Sequence, residues 1–430
     1  MVLTTRAAAL AALGVFPVIF WPSAATAWLW LLMVALAVGL DVLTAAIPGS
    51  LLVQRTPPVA VRLGESSKTT LWVTNTGKRT ARGVLRDAWP PSAGAHPTRH
   101  TLALPPGERA RLTTTLTPTR RGDRAADRVT VRTLGPLQLA GRQRSFPVPG
   151  TLRALHPFPA RRHIPSRLNI LRQLDGRAAV RVRGQGTEFD SLRDYVEGDD
   201  VRSIDWRATA RRRDLVVRTW QPEQHRRVII VLDSSRTSAG RVGDEPRLDA
   251  AMNAALLLVA IAGHARDRVT VIAGDREVRV RVAGHDRVEL LHDTISRLAP
   301  VEPRLIEADW PLLAAAVTQA STQRALVVLL TPLEPAAIEE GLLPMLPALA
   351  GRHLVVVASV ADPTVAQMRT ERDTVTEAYA AAAAERSEAL RGRTEAALRA
   401  LGVDVLDEPP QDLPVRLVDH YLMLKRHGRL

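Results

Sequence analysis

Cysteine is absent from the 430 residues, which excludes disulfides, thiolate catalysis and cysteine-ligated metals. Lysine is nearly absent too, occurring only at Lys68, Lys78 and Lys425, so arginine carries the basic excess. Aromatic residues make up 4% of the chain, and the basic residues are spread along it. That is a poor composition for a base-stacking platform, and nucleic-acid binding is not expected. No G-x-x-x-x-G-K-[ST] occurs, and after Gly184 and Gly186 the third glycine of a dinucleotide fingerprint is replaced by Phe189. What charge there is sums to +14, which favours contact with something anionic, such as an acidic lipid surface.

Charge is also missing locally. Between Ala7 and Ile47 the single charged residue is Asp41. Trp21-Pro22-Ser23 interrupts this run, which predicts a transmembrane helical hairpin over residues 1–51. Its arms run from Ala7 to about Phe20 and from about Ala24 to Ile47, near the roughly 17–25 residues that span a bilayer. Trp21, Trp28 and Trp30 suit a membrane interface, and the partner here is the lipid bilayer. The alternative is a signal peptide, because Ala25-Thr26-Ala27 resembles a cleavage site. Arg6 precedes the run and Arg55, Arg62 and Lys68 follow it, which places both ends in the cytoplasm at the inner membrane.

Residues 52–150 alternate apolar and polar positions in short runs: 59–63, 69–73, 110–116 and 128–132. Turn residues such as Asn75-Thr76-Gly77 separate them, predicting a small antiparallel, Ig-like β-sandwich. From residue 227 to 430 the pattern becomes βα. Apolar strands at 228–232, 269–272, 278–282, 325–330, 353–358 and 403–405 alternate with helices at 248–265, 287–298, 311–320, 335–349, 363–401 and 413–427. This predicts a doubly wound parallel sheet covered on both faces. The whole is expected to be multidomain: hairpin, β-sandwich, then α/β domain.

Residues 151–226 hold a denser stretch, in which charges of both signs are threaded with large apolar side chains. It contains Gly184, Gly186, Glu188, Phe189, Arg193, Tyr195, Gly198, Asp199, Asp200, Arg202, Asp205, Trp206, Thr209 and Arg211. A packed segment so charged should satisfy its charges internally. Asp199, Arg202, Asp205 and Trp206 are expected to form an ion-paired unit packed on the α/β domain. A surface built for recognition is the other reading.

Strand 228–232 runs into Asp233-Ser234-Ser235-Arg236-Thr237. In open α/β sheets ligands bind beyond the carboxyl ends of strands. Asp233, Ser235 and Thr237 can turn three oxygens toward one point, a hard-cation set suited to Mg²⁺. The spacing is similar to the metal-ion-dependent adhesion site of von Willebrand factor A domains. Such domains have further ligands, a Thr and an Asp, on later loops. Here Ile306-Glu307-Ala308-Asp309 lacks the threonine and Pro332 stands where the aspartate is expected, with Asp309 or Glu334 as substitutes. The site is therefore a degenerate one, expected to hold Mg²⁺ weakly. Alternatively Asp233 and Ser235 only cap the following turn.

The run Gly184-x-Gly186-x-Glu188-Phe189, Arg193-Asp194-Tyr195, Gly198-Asp199-Asp200-x-Arg202-x-Ile204-Asp205-Trp206 and Thr209-Ala210-Arg211 closely resembles the signature of the bacterial domain-of-unknown-function 58 family. Glu223, the strand into Asp233, Glu307-Ala308-Asp309 and Tyr421-Leu422-Met423-Leu424-Lys425 extend the likeness. The resemblance implies a von Willebrand A-like α/β domain in a cytoplasm-facing membrane protein. It also implies a MoxR-type AAA+ ATPase as partner, in chaperone-like assembly of protein complexes. The alternative function is a hydrolytic enzyme using Glu188, Asp190, Asp199, Asp200 and Asp205. No nucleophile or histidine stands beside those acids; the nearest histidine is His225.

Overall fold

A computed structural model describes residues 1–181, 188–197, 199–212, 214–221, 226–284 and 286–430. Gly184, Gly186, Gly198, Glu223 and His225 lie outside the described residues, as do the side chains of Glu188, Phe189 and Asp190. The chain is a mixed α/β, multidomain protein with two compact units, Met1–Pro157 and Phe158–Leu430.

In the first unit β1 (Val2–Leu3) precedes α1 (Thr5–Ala12), α2 (Val15–Phe20) and α3 (Ala24–Thr44). Ser23 starts α3 by accepting from the Thr26 amide. The helical stretch beginning at Ala24 is the one segment, among the described residues, long and apolar enough to cross a membrane. The 21 residues of α3 rise about 32 Å, against a hydrocarbon core of ~30 Å. The first arm is not one helix but two. It breaks at Leu13-Gly14, where a Cβ on Gly14 would lie 2.4 Å from Trp30 Cδ1. Trp30 Nε1 donates to the Leu10 carbonyl at 3.2 Å, so this tryptophan joins α1 to α3, whereas Trp21 and Trp28 are exposed.

The β-strands of this unit follow as β2 (Leu51–Thr56), β3 (Val61–Arg62), β4 (Ser67–Asn75), β5 (Ala81–Asp87), β6 (Ala95–His96), β7 (Arg99–Leu104), β8 (Arg109–Leu116), β9 (Gly122–Leu134) and β10 (Ala140–Leu155). One sheet runs β1-β10-β9-β5-β7 with β3 beside β10; the other runs β2-β4-β8-β6. Pairing is antiparallel apart from the short β3–β10 contact. Inward residues of both sheets, among them Leu71, Val73, Leu85, Val129 and Val131, share a core. β10 lies beyond the runs expected from alternation, and it contains Pro147 and Pro149, which lack the donor a strand ladder uses. A register shift between Pro147 and Gly150 accommodates them.

The second unit opens with α4 (Ile164–Arg181), then β11 (Glu188–Asp194), α5 (Trp206–Arg212) and β12 (Val216–Gln221), where β11 and β12 pair antiparallel. There follow β13 (Arg227–Asp233), the ribbon β14 (Arg241–Val242) and β15 (Glu245–Pro246), α6 (Arg247–His264), β16 (Arg268–Gly274), β17 (Val278–Gly284), α7 (Arg287–Leu298) and α8 (Trp310–Ala320). Next come β18 (Leu326–Leu330), α9 (Pro335–Ala337), α10 (Leu346–Ala350), β19 (Leu354–Val360), α11 (Pro363–Met368), α12 (Val375–Ala400), β20 (Asp404–Glu408) and α13 (Leu413–Arg426). The main sheet has the order β17-β16-β13-β18-β19-β20. All its pairings are parallel except β16–β17, because the Asp275-Arg276-Glu277 connection is too short for a crossover.

Two helices expected to be continuous are broken. Residues 335–349 become α9, a π turn, a 3-10 turn and α10, since Pro344 and Pro347 lack the donors a regular helix needs. The stretch 363–401 divides before Thr374, which starts α12 with a capping box closed by Glu377.

Candidate functional site at the carboxyl ends of the central strands

β13 is apolar from Val228 to Leu232 and ends at Asp233, and the connections of the sheet reverse between β13 and β18. This is the topological switch point, where α/β sheets open a crevice. Asp233 is 1% exposed. Its Oδ1 accepts from the Ser235 amide at 2.8 Å, and its Oδ2 accepts from Thr237 Oγ1 at 3.1 Å and Thr331 Oγ1 at 2.8 Å. Ser235 Oγ lies 3.1 Å from Thr237 Oγ1. The sequence pattern thus does bring Asp233, Ser235 and Thr237 together. Burial nevertheless pushes the Asp233 carboxyl above the ordinary range, against the pull of its hydrogen bonds.

Thr331 is the residue that sequence reasoning passed over. It directly follows β18, whose last residue lies in register with Leu232, so its hydroxyl reaches Asp233 from the neighbouring strand. The substitutes considered for the missing ligands are occupied elsewhere. Asp309 caps α8 through the Leu312 amide at 2.9 Å, and Glu334 pairs with Arg247 at 2.9 Å. The convergent oxygens are hard donors of the kind Mg²⁺ takes, but they include a single carboxylate. Among the described residues no group of three His, Cys, Asp or Glu side chains gathers there.

A second buried acid lies one strand away. Asp275, just beyond β16, accepts from Ser234 Oγ at 2.9 Å and lies 3.5 Å from Arg279 and 3.8 Å from Arg304. Ser234 and Ser235 therefore face different carboxylates, as successive residues of an extended chain do. At the opposite end of β16, the buried Asp267 accepts from Tyr421 Oη at 2.5 Å and from Lys425 Nζ at 3.1 Å. Burial raises its carboxyl, and the Lys425 charge opposes that rise. Tyr421 and Lys425 stand one turn apart on α13, which gives the C-terminal motif a structural role.

The charged signature is arranged differently from the expected buried unit. Arg193 Nη2 donates to Asp199 Oδ1 at 2.6 Å, and Asp199 Oδ2 accepts from the Val196 amide at 3.0 Å. Asp205 caps α5 through the amides of Arg207 and Ala208, both at 3.0 Å, and pairs with Arg218 at 2.8 Å. Asp200 accepts from the Arg202 amide, and Thr209 Oγ1 from the Val216 amide. The Tyr195 amide donates to the Leu215 carbonyl. Arg202 and Arg211 are exposed, and Trp206 is 66% exposed. Among the described side chains, Asp199, Asp200 and Asp205 each find a local amide or arginine within the β11–β12 lobe. The Arg193 hydrogen bond holds the Asp199 carboxyl below its ordinary value. The Ala208 amide, then Arg218, do the same for Asp205. Carboxylates held ionised in this way are poor general acids.

No curated protein matches the chain. Among solved structures, the conserved hypothetical protein BatB from Bacteroides thetaiotaomicron is 14% identical, with 47% of this chain and 99% of that one covered at a TM-score of 0.31. A CARDB domain from Pyrococcus furiosus is 18% identical over 24% of this chain and 92% of its own, with a TM-score of 0.18. A PapD-like domain of human CEP192 is 14% identical over 25% and 89%, with a TM-score of 0.19. Scores of this size carry no argument. The family comparison finds that residues 191–400, which include most of the β11–β12 lobe, the Asp233 loop and the sheet as far as β19, match the family described as protein of unknown function DUF58.

Proposed function

We propose that this protein is a membrane-anchored adaptor. Its α/β unit acts as a von Willebrand A-like recognition domain, and the bulk of the chain lies on the cytoplasmic side. The partner that the family resemblance implies is a MoxR-type AAA+ ATPase, in chaperone-like assembly or maturation of protein complexes. The observation that carries this reading is the Asp233 carboxylate. It lies at the switch point of the sheet and spends its hydrogen bonds on Ser235, Thr237 and Thr331. A buried acid that ties a loop to two strands fixes the shape of the surface above it. The D-x-S-x-T spacing and the strand order support the von Willebrand A-like assignment.

Asp233, Ser235 and Thr237, joined by Thr331, would hold Mg²⁺ weakly, because one carboxylate offsets little of the ion's dehydration. Such an ion would offer a coordination position to a partner's carboxylate. Partner binding is instead expected to depend on Asp233 through loop geometry. The test is binding of the full chain, in nanodiscs, to its cognate ATPase without nucleotide. Asp233→Ala should weaken binding at least about tenfold, the equivalent of 1.4 kcal/mol, while EDTA should change it little. Loss in EDTA as complete as that in Asp233→Ala would make the metal obligatory. Unchanged binding by Asp233→Ala would remove this edge as the recognition site.

A further inference from the structure

The positive charges that the sequence places after the apolar helix do not all stay near it. Arg55 turns into the β-sandwich, where it pairs with Asp87 at 2.7 Å and its side chain is 2% exposed. Other cations, distant in sequence, take up the position at the helix foot. The Arg79 guanidinium donates to the Leu43 carbonyl, and Arg142 Nε donates to the Val42 carbonyl at 3.1 Å. Both complement the negative end of α3. The Arg144 guanidinium lies against Gly49, with its Nη1 2.5 Å from where a Cβ there would be. Lys78 sits in the turn whose Thr76 donates to the Ser50 carbonyl from both its amide, at 3.0 Å, and its hydroxyl, at 2.6 Å. Arg6 approaches from α1, with its Nη1 2.9 Å from Gln138 Oε1.

The acids on the elements packed here do not neutralise this collar. Asp41 is fully buried, its carboxylate taken up by the amides of Leu137, Leu139 and Ala140 at 2.7–2.8 Å. Glu108 is exposed beside Asn75, and on β9 Asp127 and the Arg153-paired Asp123 lie toward the end away from Thr133. Leu43, Ile47 and Leu137 are exposed at the same level. An apolar helix, an apolar rim and then a ring of cations is the order of chemistries met on leaving a bilayer through an anionic headgroup layer.

We propose that Arg6, Lys78, Arg79, Arg142 and Arg144 form a binding surface for the headgroups of anionic phospholipids, which seats the β-sandwich on the membrane. The inference rests on the anchor reading of α3. An acidic protein segment would match the charge, but not the continuous apolar helix and rim beside it.

The test uses the full chain in bilayers of phosphatidylcholine containing spin-labelled phosphatidylglycerol or spin-labelled phosphatidylcholine, comparing the motionally restricted fractions. The wild type should select phosphatidylglycerol several-fold, and 0.5 M salt should reduce the selection. The variant Arg6→Gln/Lys78→Gln/Arg144→Gln, which spares the two arginines on the helix carbonyls, should bring the ratio close to one. A wild-type ratio near one in fully inserted protein would overturn the lipid surface and leave the anchor standing. So would a variant that keeps the full preference, or a collar shielded by a co-purifying acidic protein. Release of the wild type by alkaline carbonate would overturn the anchor itself. If the triple variant fails to fold, the salt dependence of the wild type decides, and a selectivity unmoved by salt refutes the proposal.

Discussion

Three buried aspartates each do a different job, and each job follows from the partners the fold supplies. Asp41 meets three backbone amides of the β9–β10 turn, so the end of an apolar helix is fastened directly to a β-sheet. Asp267 meets Tyr421 and Lys425. Removing the phenolic hydroxyl leaves that carboxylate short of a charge-assisted bond, so Tyr421→Phe should cost about 1.5–3 kcal/mol in denaturant unfolding. Asp233 meets hydroxyls and an amide but no cation, and its carboxyl is raised by burial. A raised folded-state value means that this group's contribution to stability is complete below its unfolded value of about 3.9 and is lost as pH rises through the folded one. Asp233→Asn does not titrate. Its stability relative to wild type should therefore climb as pH rises from 4 to 8 in urea titrations. A difference that stays flat would mean that Asp233 titrates alike in both states.

At the scale of elements, charge density in sequence proved a poor guide to burial. The β11–β12 lobe is rich in charge, yet its ion pairs are solvent-facing and short in range. Exposed pairs contribute little, and Arg202 is exposed. Arg202→Ala should therefore stay within about 0.5 kcal/mol of wild type, where a buried unit would have required a large loss. The contrast is Arg55, which the sequence presents as a membrane-flanking charge. It bonds Asp87 through two nitrogens and stacks 5.0 Å from the Trp89 ring centre. Arg55→Ala should destabilise the first unit by about 3–5 kcal/mol, because it strands a buried carboxylate. The junction of helix and sheet has its own test. A Cβ on Gly135 would come within 2.1 Å of Asp41 Oδ1, so Gly135→Ala must displace one of them. Amide exchange at Leu137, Leu139 and Ala140 should then rise well above wild type, and unchanged protection would show that the joint has slack.

For the whole molecule the decisive measurement is sidedness. The chain has no cysteine of its own, so Ser387→Cys on the exposed face of α12 gives a single reporter. It should react with an impermeant maleimide only after the inner membrane is opened. Reaction in intact spheroplasts would place the α/β unit outside and revive the signal-peptide reading.

Local periodicity and turn chemistry by themselves determined the apolar helix starting near Ala24, the antiparallel β region, the parallel strands of the second unit and the Asp233-Ser235-Thr237 loop. Each of these is written in neighbouring residues. Tertiary structure alone decided the rest. Strands β13 and β18 lie side by side, although about a hundred residues separate Asp233 from Thr331, and so a threonine completes the hydrogen bonding of the acid. Proline-bearing β10 is a strand because β9 and β1 supply partners on either side of it. Arg55 turns into the β-sandwich, while Arg79 from the β4–β5 turn and Arg142 and Arg144 from β10 reach the segment that ends α3. A side chain's partners are set by which strands pair, and pairing across long separations depends on shared burial that no local window of sequence contains.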